Sequence, residues 1–385
     1  MAATIDPLAL AEALIRAPSV TPHDGGALPH LATELEKRGF RCELKEFSEP
    51  GTDPILNLYA RIGTSGRNFC FAGHTDVVPP GPREAWTSDP FAPAVRDGML
   101  YGRGASDMKA AVACFAAAAS QFIAARGPNF GGSISLLITG DEEGDSINGT
   151  KKVLEWLAAR GEKLDACLVG EPTNVAALGD MIKIGRRGSL NATVTARGTQ
   201  GHTAYPHLAD NAAHRLVAML SAVLAEPLDK GTAHFQPSTL EVSTIDIGNS
   251  ANNVIPGQAR ATFNIRYNEQ WSSASLEKYL RQKLDPLAKG KYDLTIKISG
   301  ESFLVPPGEI SNLLTKAIAR VTNRTPELST AGGTSDARFI HRYCPVAEFG
   351  MVGQTMHKVD ECVPVHDVAL LTEIYRLVLE GYFAA

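Results

Sequence analysis

The chain has no closely spaced cysteines. Its six, at positions 42, 70, 114, 167, 344 and 362, are scattered through 385 residues with no C-x-x-C pair, which excludes a disulfide-stapled scaffold and a thiolate metal site. Cys70, Cys114 and Cys167 lie inside apolar runs, where free thiols are buried, so a reducing, cytoplasmic compartment is expected. Positive charge is also scarce. With 37 Lys and Arg against 42 Asp and Glu, the net charge is −5, which leaves no basic footprint to neutralise phosphates, and no nucleic-acid partner is expected. Long apolar runs are missing too. The best candidate, Ala110 to Ala125, is Ala-rich, carries Ser120 and Gln121, and falls short of the ~20 residues of a membrane span. A buried helix and no membrane partner are expected. The first residues lack a basic region and place Asp6 and Glu12 in an apolar-periodic stretch, so no signal peptide is expected.

What is present is an ordinary globular balance, 44% apolar and 21% charged, with ample core. At ~150 residues per domain, the length suggests two to three domains. Helical patterns at Leu8 to Arg16, Leu31 to Arg38, Met108 to Ala125 and Lys151 to Arg160 alternate with apolar strands at Asn68 to Ala72, Ile134 to Thr139 and Ala166 to Val169. That alternation predicts a largely parallel sheet covered on both faces. Near residue 187 the pattern changes. Leu190, Ala192, Val194 and Ala196 alternate with polar residues, the period of a half-exposed strand. A helix over Asn211 to Leu224 follows, then strands over Thr239 to Ile247 and Gln258 to Tyr267. Leu276, Tyr279, Leu280 and Leu284 recur at helical spacing, and Leu294, Ile296 and Ile298 close the series. The order β-α-β-β-α-β predicts a ferredoxin-like domain over 188–300, inserted into an α/β domain made of 1–187 and 301–385.

Chemistry-bearing residues follow the apolar strands. His74-Thr75-Asp76 follows one, Asp141-Glu142-Glu143 a second and Glu171 a third, and Asp107 precedes the Ala-rich helix. In open parallel sheets, ligands bind outside the carboxyl ends of strands. Taken singly, each motif has a plainer reading. His-x-Asp is commonly a surface turn, Asp-Glu-Glu a solvated helix start, Glu171-Pro172 a turn, and Asp107 an N-cap. Together they converge on one crevice. Clustered carboxylates repel, and burial would neutralise them unless a cation is present. Imidazole and carboxylate without thiolate suit a hydrolytic zinc, manganese or cobalt site, with Asp76 spaced to orient the His74 ring.

These motifs resemble the M20 metallopeptidase and deacylase family. The likeness rests on Gly73-His74-Thr75-Asp76-Val77-Val78-Pro79, Gly102 to Lys109, Asp141-Glu142-Glu143-Gly144 and Gly170-Glu171-Pro172. It extends to Gly185 to Leu190, Gly201-His202-Thr203-Ala204-Tyr205-Pro206, Ala251 to Gly257, Gly332 to Phe339 and Met356 to Glu361, and so runs across nearly the whole chain. The resemblance implies a zinc-peptidase-like catalytic domain with an inserted dimerisation lid. It implies two Zn2+ per subunit, with cobalt able to substitute. His74 and Glu171 would hold one ion and Glu143 and His357 the other, with Asp107 bridging. Asp76 would orient His74, and Glu142 would be the general base. His202 would reach the site from the partner of a homodimer and stabilise the oxyanion. Arg186, Asn252, Arg266, Gly333 and Thr334 would contact a small, carboxylate-bearing amide substrate.

One segment departs from the pattern: Gly353-Gln354 stands where related chains carry Asn-Ala ahead of the last metal histidine, so Gly353 supplies no side-chain amide. Other amide hydrolases of the family would share the metal residues. A non-enzymatic relative would be expected to lose the base or a ligand, yet all these residues are present.

Overall fold

The computed structural model describes residues 4–384. By contact the chain divides into two compact units. The first takes in residues up to 184, 305–329 and everything from 335; the second takes in 185–304 with 330–334. The inserted unit therefore begins at Gly185 and extends to Leu304, a few residues beyond the expected edges at each end. It also includes 330–334, which the motif pattern alone assigns to the catalytic body.

The first unit is built on an eight-stranded sheet. Its strand order is Arg41–Phe47, Ile55–Ile62, Ser133–Thr139, Asn68–His74, Ala166–Val169, Val346–Glu348, Met181–Lys183 and Glu327–Ser329. The middle is parallel: Asn68–His74 runs parallel to Ser133–Thr139 and to Ala166–Val169, which runs parallel to Val346–Glu348. Antiparallel pairing comes in toward the edges, where Ile55–Ile62 joins Ser133–Thr139 and Arg41–Phe47. Every residue of Asn68–His74 and Ser133–Thr139 is buried, so both faces are covered and neither strand shows alternation.

The Ala-rich segment forms the helix Ala110–Arg126, with Ala110 through Ala119 fully buried. It packs against Val365–Tyr382 and Pro7–Arg16. By length and composition the stretch Ala105–Arg126 is apolar enough to cross a membrane, but 78% of its apolar window is buried inside the protein, as expected of a core helix. Small side chains let the neighbouring helices approach, and Phe115 fills the remaining space. Its ring stacks on Phe71 at 4.4 Å and meets Tyr375 edge-on at 5.8 Å. The three-stranded sheet of Ala94–Arg96, Met99–Tyr101 and Cys362–Pro364 anchors the loops on either side of it, 102–107 and 353–361.

The second unit is the expected ferredoxin-like domain. Strands Gly188–Arg197, Thr239–Asp246, Gln258–Tyr267 and Tyr292–Gly300 form an antiparallel sheet in which Thr239–Asp246 is one edge, followed by Gln258–Tyr267, Gly188–Arg197 and Tyr292–Gly300. Leu190, Ala192, Val194 and Ala196 share a core with Ala261, Phe263 and Ile265 under the helices Ala212–Leu224 and Ser273–Ala288. Their alternation in sequence is thus the two faces of a sheet with helices on one side.

Candidate metal centre

The strand ends bring five donor residues together in the first unit. His74 is the last residue of its strand, Glu171 lies just past Val169, and Glu143 sits in the turn after Thr139. Asp107 and His357 come from loops 102–107 and 353–361. Their donor atoms form two groups, His74 with Asp107 and Glu171, and Asp107 with Glu143 and His357, each within 4.8 Å internally. Asp107 belongs to both. Its Oδ1 lies 3.2 Å from His74 Nε2, and its Oδ2 lies 3.2 Å from His357 Nε2. Glu143 Oε1 is 2.7 Å from His357 Nε2, and Glu171 Oε1 is 3.7 Å from His74 Nε2. This is the partition that the family resemblance implies.

The supporting residues divide their work. His74 Nδ1 lies 2.9 Å from the main-chain carbonyl of Asp76, a contact that leaves Nε2 facing Asp107. The Asp76 carboxylate is 3.5 Å from the ring. It accepts the amides of Glu142 and Glu143 at 3.3 and 3.0 Å, fixing the loop that carries both residues. Asp141, the first of the three acids, accepts the amides of Ile147 and Asn148 and closes the same loop. His357 has φ 62, a conformation non-glycine residues seldom adopt and one that concentrates at functional sites.

The electrostatics call for cations. Hydrogen bonds from the His357 ring to the Asp107 and Glu143 carboxylates push the His357 pKa up to about 10, against the opposing effect of burial. Burial opposes the charged forms of both His74 and Asp107. Even so, their mutual contact and the surrounding charges hold His74 well above and Asp107 well below their ordinary values. Burial lifts Asp76 to about 7. Burial and the Glu171 charge raise Glu142 well above the usual carboxylate range. Metal–ligand bonds of ~2.0–2.2 Å in a tetrahedron put donor atoms ~3.3–3.6 Å apart; the 3.2, 3.2 and 3.7 Å separations lie close to that, whereas Glu143 and His357, at 2.7 Å, are in direct hydrogen-bond contact. The residues present fit a pair of divalent ions.

The remaining expected residues belong to the second unit. Arg186 is buried, and its Nη1 donates to the Gly333 carbonyl at 3.1 Å. Gly332 has φ 108, and a Cβ there would stand 2.9 Å from Arg186 Nη1, so this close approach needs glycine. Thr334 lies in the same 330–334 segment. Arg266 is half-buried on its strand opposite Ser189. Asn252 is exposed, and exposed His202 pairs with Val254. Motif reading did not single out Arg187, whose pKa is lowered by burial and by the charge of Arg266. Its place beside Arg186 in the sequence is the only signal for it. At the departure from the family pattern, Gln354 Nε2 donates to the Val175 carbonyl at the surface, so its amide does not stand in for the missing one.

Fold and donor set define a two-metal hydrolase. The chain belongs to peptidase family M20/M25/M40, which it matches over residues 70–381. It is 60% identical to succinyl-diaminopimelate desuccinylase of Rhodospirillum centenum over 98% of both chains. It is 58% identical to the protein of that name from Parvibaculum lavamentivorans over 100% of this chain and 97% of the relative. Among solved structures, it superposes on the M20 metallo-carboxypeptidase Sso-CP2 of Sulfolobus solfataricus with a TM-score of 0.78 at 17% identity, covering 99% of this chain and 100% of the other. It superposes on the aminopeptidase PepT of Bacillus cereus with 0.77 at 19% identity, again over 99% and 100%. At that distance the likeness is one of fold.

Proposed function

We propose that this chain is a cytoplasmic dizinc amidohydrolase that cleaves N-succinyl-LL-2,6-diaminopimelate to succinate and LL-2,6-diaminopimelate, and works as a homodimer through its inserted unit. The observation that carries the reading is Asp107 set between His74 and His357, with Glu143 and Glu171 completing the two donor groups. The full-length identity to curated desuccinylases adds the substrate.

Two divalent ions held by His74, Asp107, Glu171, Glu143 and His357 would lower the pKa of a water and polarise the scissile carbonyl. The chain's own groups do the rest. Glu142 takes the proton from the attacking water and delivers it to the leaving nitrogen. The Asp76 carboxylate keeps Glu142 and Glu143 in register by holding their amides. His202 of the partner subunit donates to the oxyanion, a contact worth ~3–4 kcal/mol where such donors have been removed. Arg186, with Arg187 and Arg266 close to each other, supplies planar guanidinium forks for the substrate's carboxylates, and Asn252, Gly333 and Thr334 line the same unit.

Exposed apolar residues on the inserted unit support the dimer. Val217 and Leu224 on the helix Ala212–Leu224 are 61% and 51% exposed, and Ile245 on the edge strand Thr239–Asp246 is 57% exposed. An unpaired strand edge beside an apolar helix face is a ready surface for a second copy.

The deciding experiment measures amine release by zinc-loaded protein from N-succinyl-LL-diaminopimelate and, in parallel, from N-acetylornithine. Rapid cleavage of the succinyl compound alone is expected. Preference for acetylornithine would keep the dizinc chemistry and overturn the substrate.

A further inference from the structure

The bridging Asp107 is held by a residue that binds neither ion. Glu361 is fully buried, four residues beyond His357 on the same loop. Both of its carboxylate oxygens are used on the turn that ends in Asp107. Oε1 accepts the amides of Ser106 and Asp107 at 2.8 and 3.0 Å. Oε2 accepts the amide of Gly104 at 3.0 Å and Arg103 Nη1 at 2.6 Å. The Arg103 Nη1 group also donates to the Lys358 carbonyl at 3.2 Å, back on the histidine loop. The Glu361 carbonyl accepts the amide of Gly102 at 2.9 Å. Ser106 Oγ donates to the Val352 carbonyl at 2.9 Å, a further tie to the residue that leads into the histidine loop.

We propose that Glu361, clamped by Arg103, is the positioning residue that sets the bridging carboxylate of Asp107 against His357, and so fixes the separation of the two metal subsites. The argument is one of donors and acceptors. Charge-assisted hydrogen bonds to a buried carboxylate are the strong ones, and every donor facing Glu361 is an N–H. No neutral isostere can replace it. A glutamine at this position must turn its NH2 group either toward the Ser106 and Asp107 amides or toward Gly104 and Arg103. In either rotamer a buried donor meets donors. An aspartate is one methylene too short to reach both sides. Partners that orient metal ligands change metal affinity when removed even though they never touch the metal.

The inference rests on the two-metal reading of the site and is independent of the substrate. Its test is zinc binding, followed by calorimetry on metal-free protein, together with the visible absorption spectrum of the cobalt-loaded form. For Glu361→Gln, zinc affinity is expected to fall by about tenfold or more at both subsites, with a changed cobalt spectrum, because both subsites share Asp107. Asp360→Asn serves as the comparison. It removes a half-buried carboxylate on the same loop, one that accepts from the Thr87 amide and hydroxyl, and it is expected to keep wild-type zinc affinity and spectrum. Arg103→Lys keeps a cation but shortens the side chain that carries the Nη1 group to both Oε2 and the Lys358 carbonyl, and should show a smaller loss in the same direction. If Glu361→Gln does not fold, Arg103→Lys decides the matter. Wild-type zinc affinities and an unchanged cobalt spectrum in the folded Glu361 variant, or in Arg103→Lys, overturn the inference and leave the metal site standing. Failure of the wild-type protein to bind zinc overturns both.

Discussion

The proposed mechanism gives the neighbours Glu142 and Glu143 different duties, and single substitutions test that division. Glu142→Gln is expected to lower kcat by about a hundredfold to ten-thousandfold, the range for losing a positioned base, while two zinc ions per chain remain bound. Glu143→Gln removes a donor 2.7 Å from His357 and is expected to lose metal together with activity. Metal analysis of the two variants checks the division, and a Glu142→Gln enzyme with near-normal kcat would remove Glu142 from its role. The thiols provide a second check at this scale. Burial pushes Cys42 and Cys114 up to about 12 and raises Cys167, Cys344 and Cys362 as well. Only the thiolate attacks a disulfide reagent, and a pKa near 12 leaves about one thiol in ten thousand ionised at pH 8. The buried three, Cys114, Cys167 and Cys344, are therefore expected to react only when the protein is unfolded, with reactivity rising as pH rises; fast labelling of these three in the native protein at pH 8 would contradict their burial. His74, Asp107, Glu143, Glu171 and His357 were legible in the sequence because each belongs to a short motif, most of them at a strand end. Glu361 and Arg103 lay inside quoted motifs but carried no signal of their role, because that role exists only in contacts between segments more than 250 residues apart.

The elements that carry the ligands are kept in place by a packing device that the sequence hides. Met108, next to Asp107, lies against the glycines that precede two other ligands. A Cβ at Gly73 would stand 2.3 Å from Met108 Cε, and one at Gly170 would stand 2.6 Å from the same atom. Two strands and the Asp107 turn thus meet at one methionine methyl group. Gly73→Ala and Gly170→Ala are each expected to destabilise by about 1–3 kcal/mol, the usual range for overpacking. Shortening the methionine frees that space, so Gly73→Ala with Met108→Ala should cost less than the sum of the singles, by about 0.5–3 kcal/mol of coupling. Denaturant unfolding of the four proteins in the cycle measures it, and strict additivity would show that the methionine is not the obstacle. Elements with an unbroken apolar run or a clean period were readable from sequence; Ala166–Val169 is of the first kind and Gln258–Tyr267 of the second, and both match the structure residue for residue. Arg41–Phe47 was not, because its exposed and half-buried residues give an edge strand without an apolar face. The helix Val365–Tyr382 lies outside the expected set although Val368, Leu371, Tyr375, Val378, Leu379 and Tyr382 recur at helical spacing along its buried side. It carries no chemistry-bearing motif.

At the scale of the whole molecule the insertion was legible because its period changes from buried parallel strands to half-exposed antiparallel ones. The place of 330–334 was not, since that segment follows a strand of the first unit yet clusters with the second. The dimer is the remaining question at this scale, and subunit mixing answers it without relying on one damaged enzyme. His202→Ala and Glu142→Gln proteins are each expected to be nearly inactive. If His202 serves the neighbouring site, a mixed dimer contains one complete site, built from the Glu142 of one subunit and the His202 of the other. Random reassortment of equal amounts makes half the dimers mixed, so about a quarter of wild-type activity should return. If His202 serves its own subunit, no dimer contains a complete site and nothing returns. Val217→Asp with Ile245→Asp places charge on the exposed apolar face of the inserted unit, and is expected to give a folded monomer by sedimentation with most of kcat lost. A monomer that keeps full activity, or a mixture that never recovers, would show that no site depends on the partner's His202, and a fully active His202→Ala protein would return it to the role of an ordinary surface histidine.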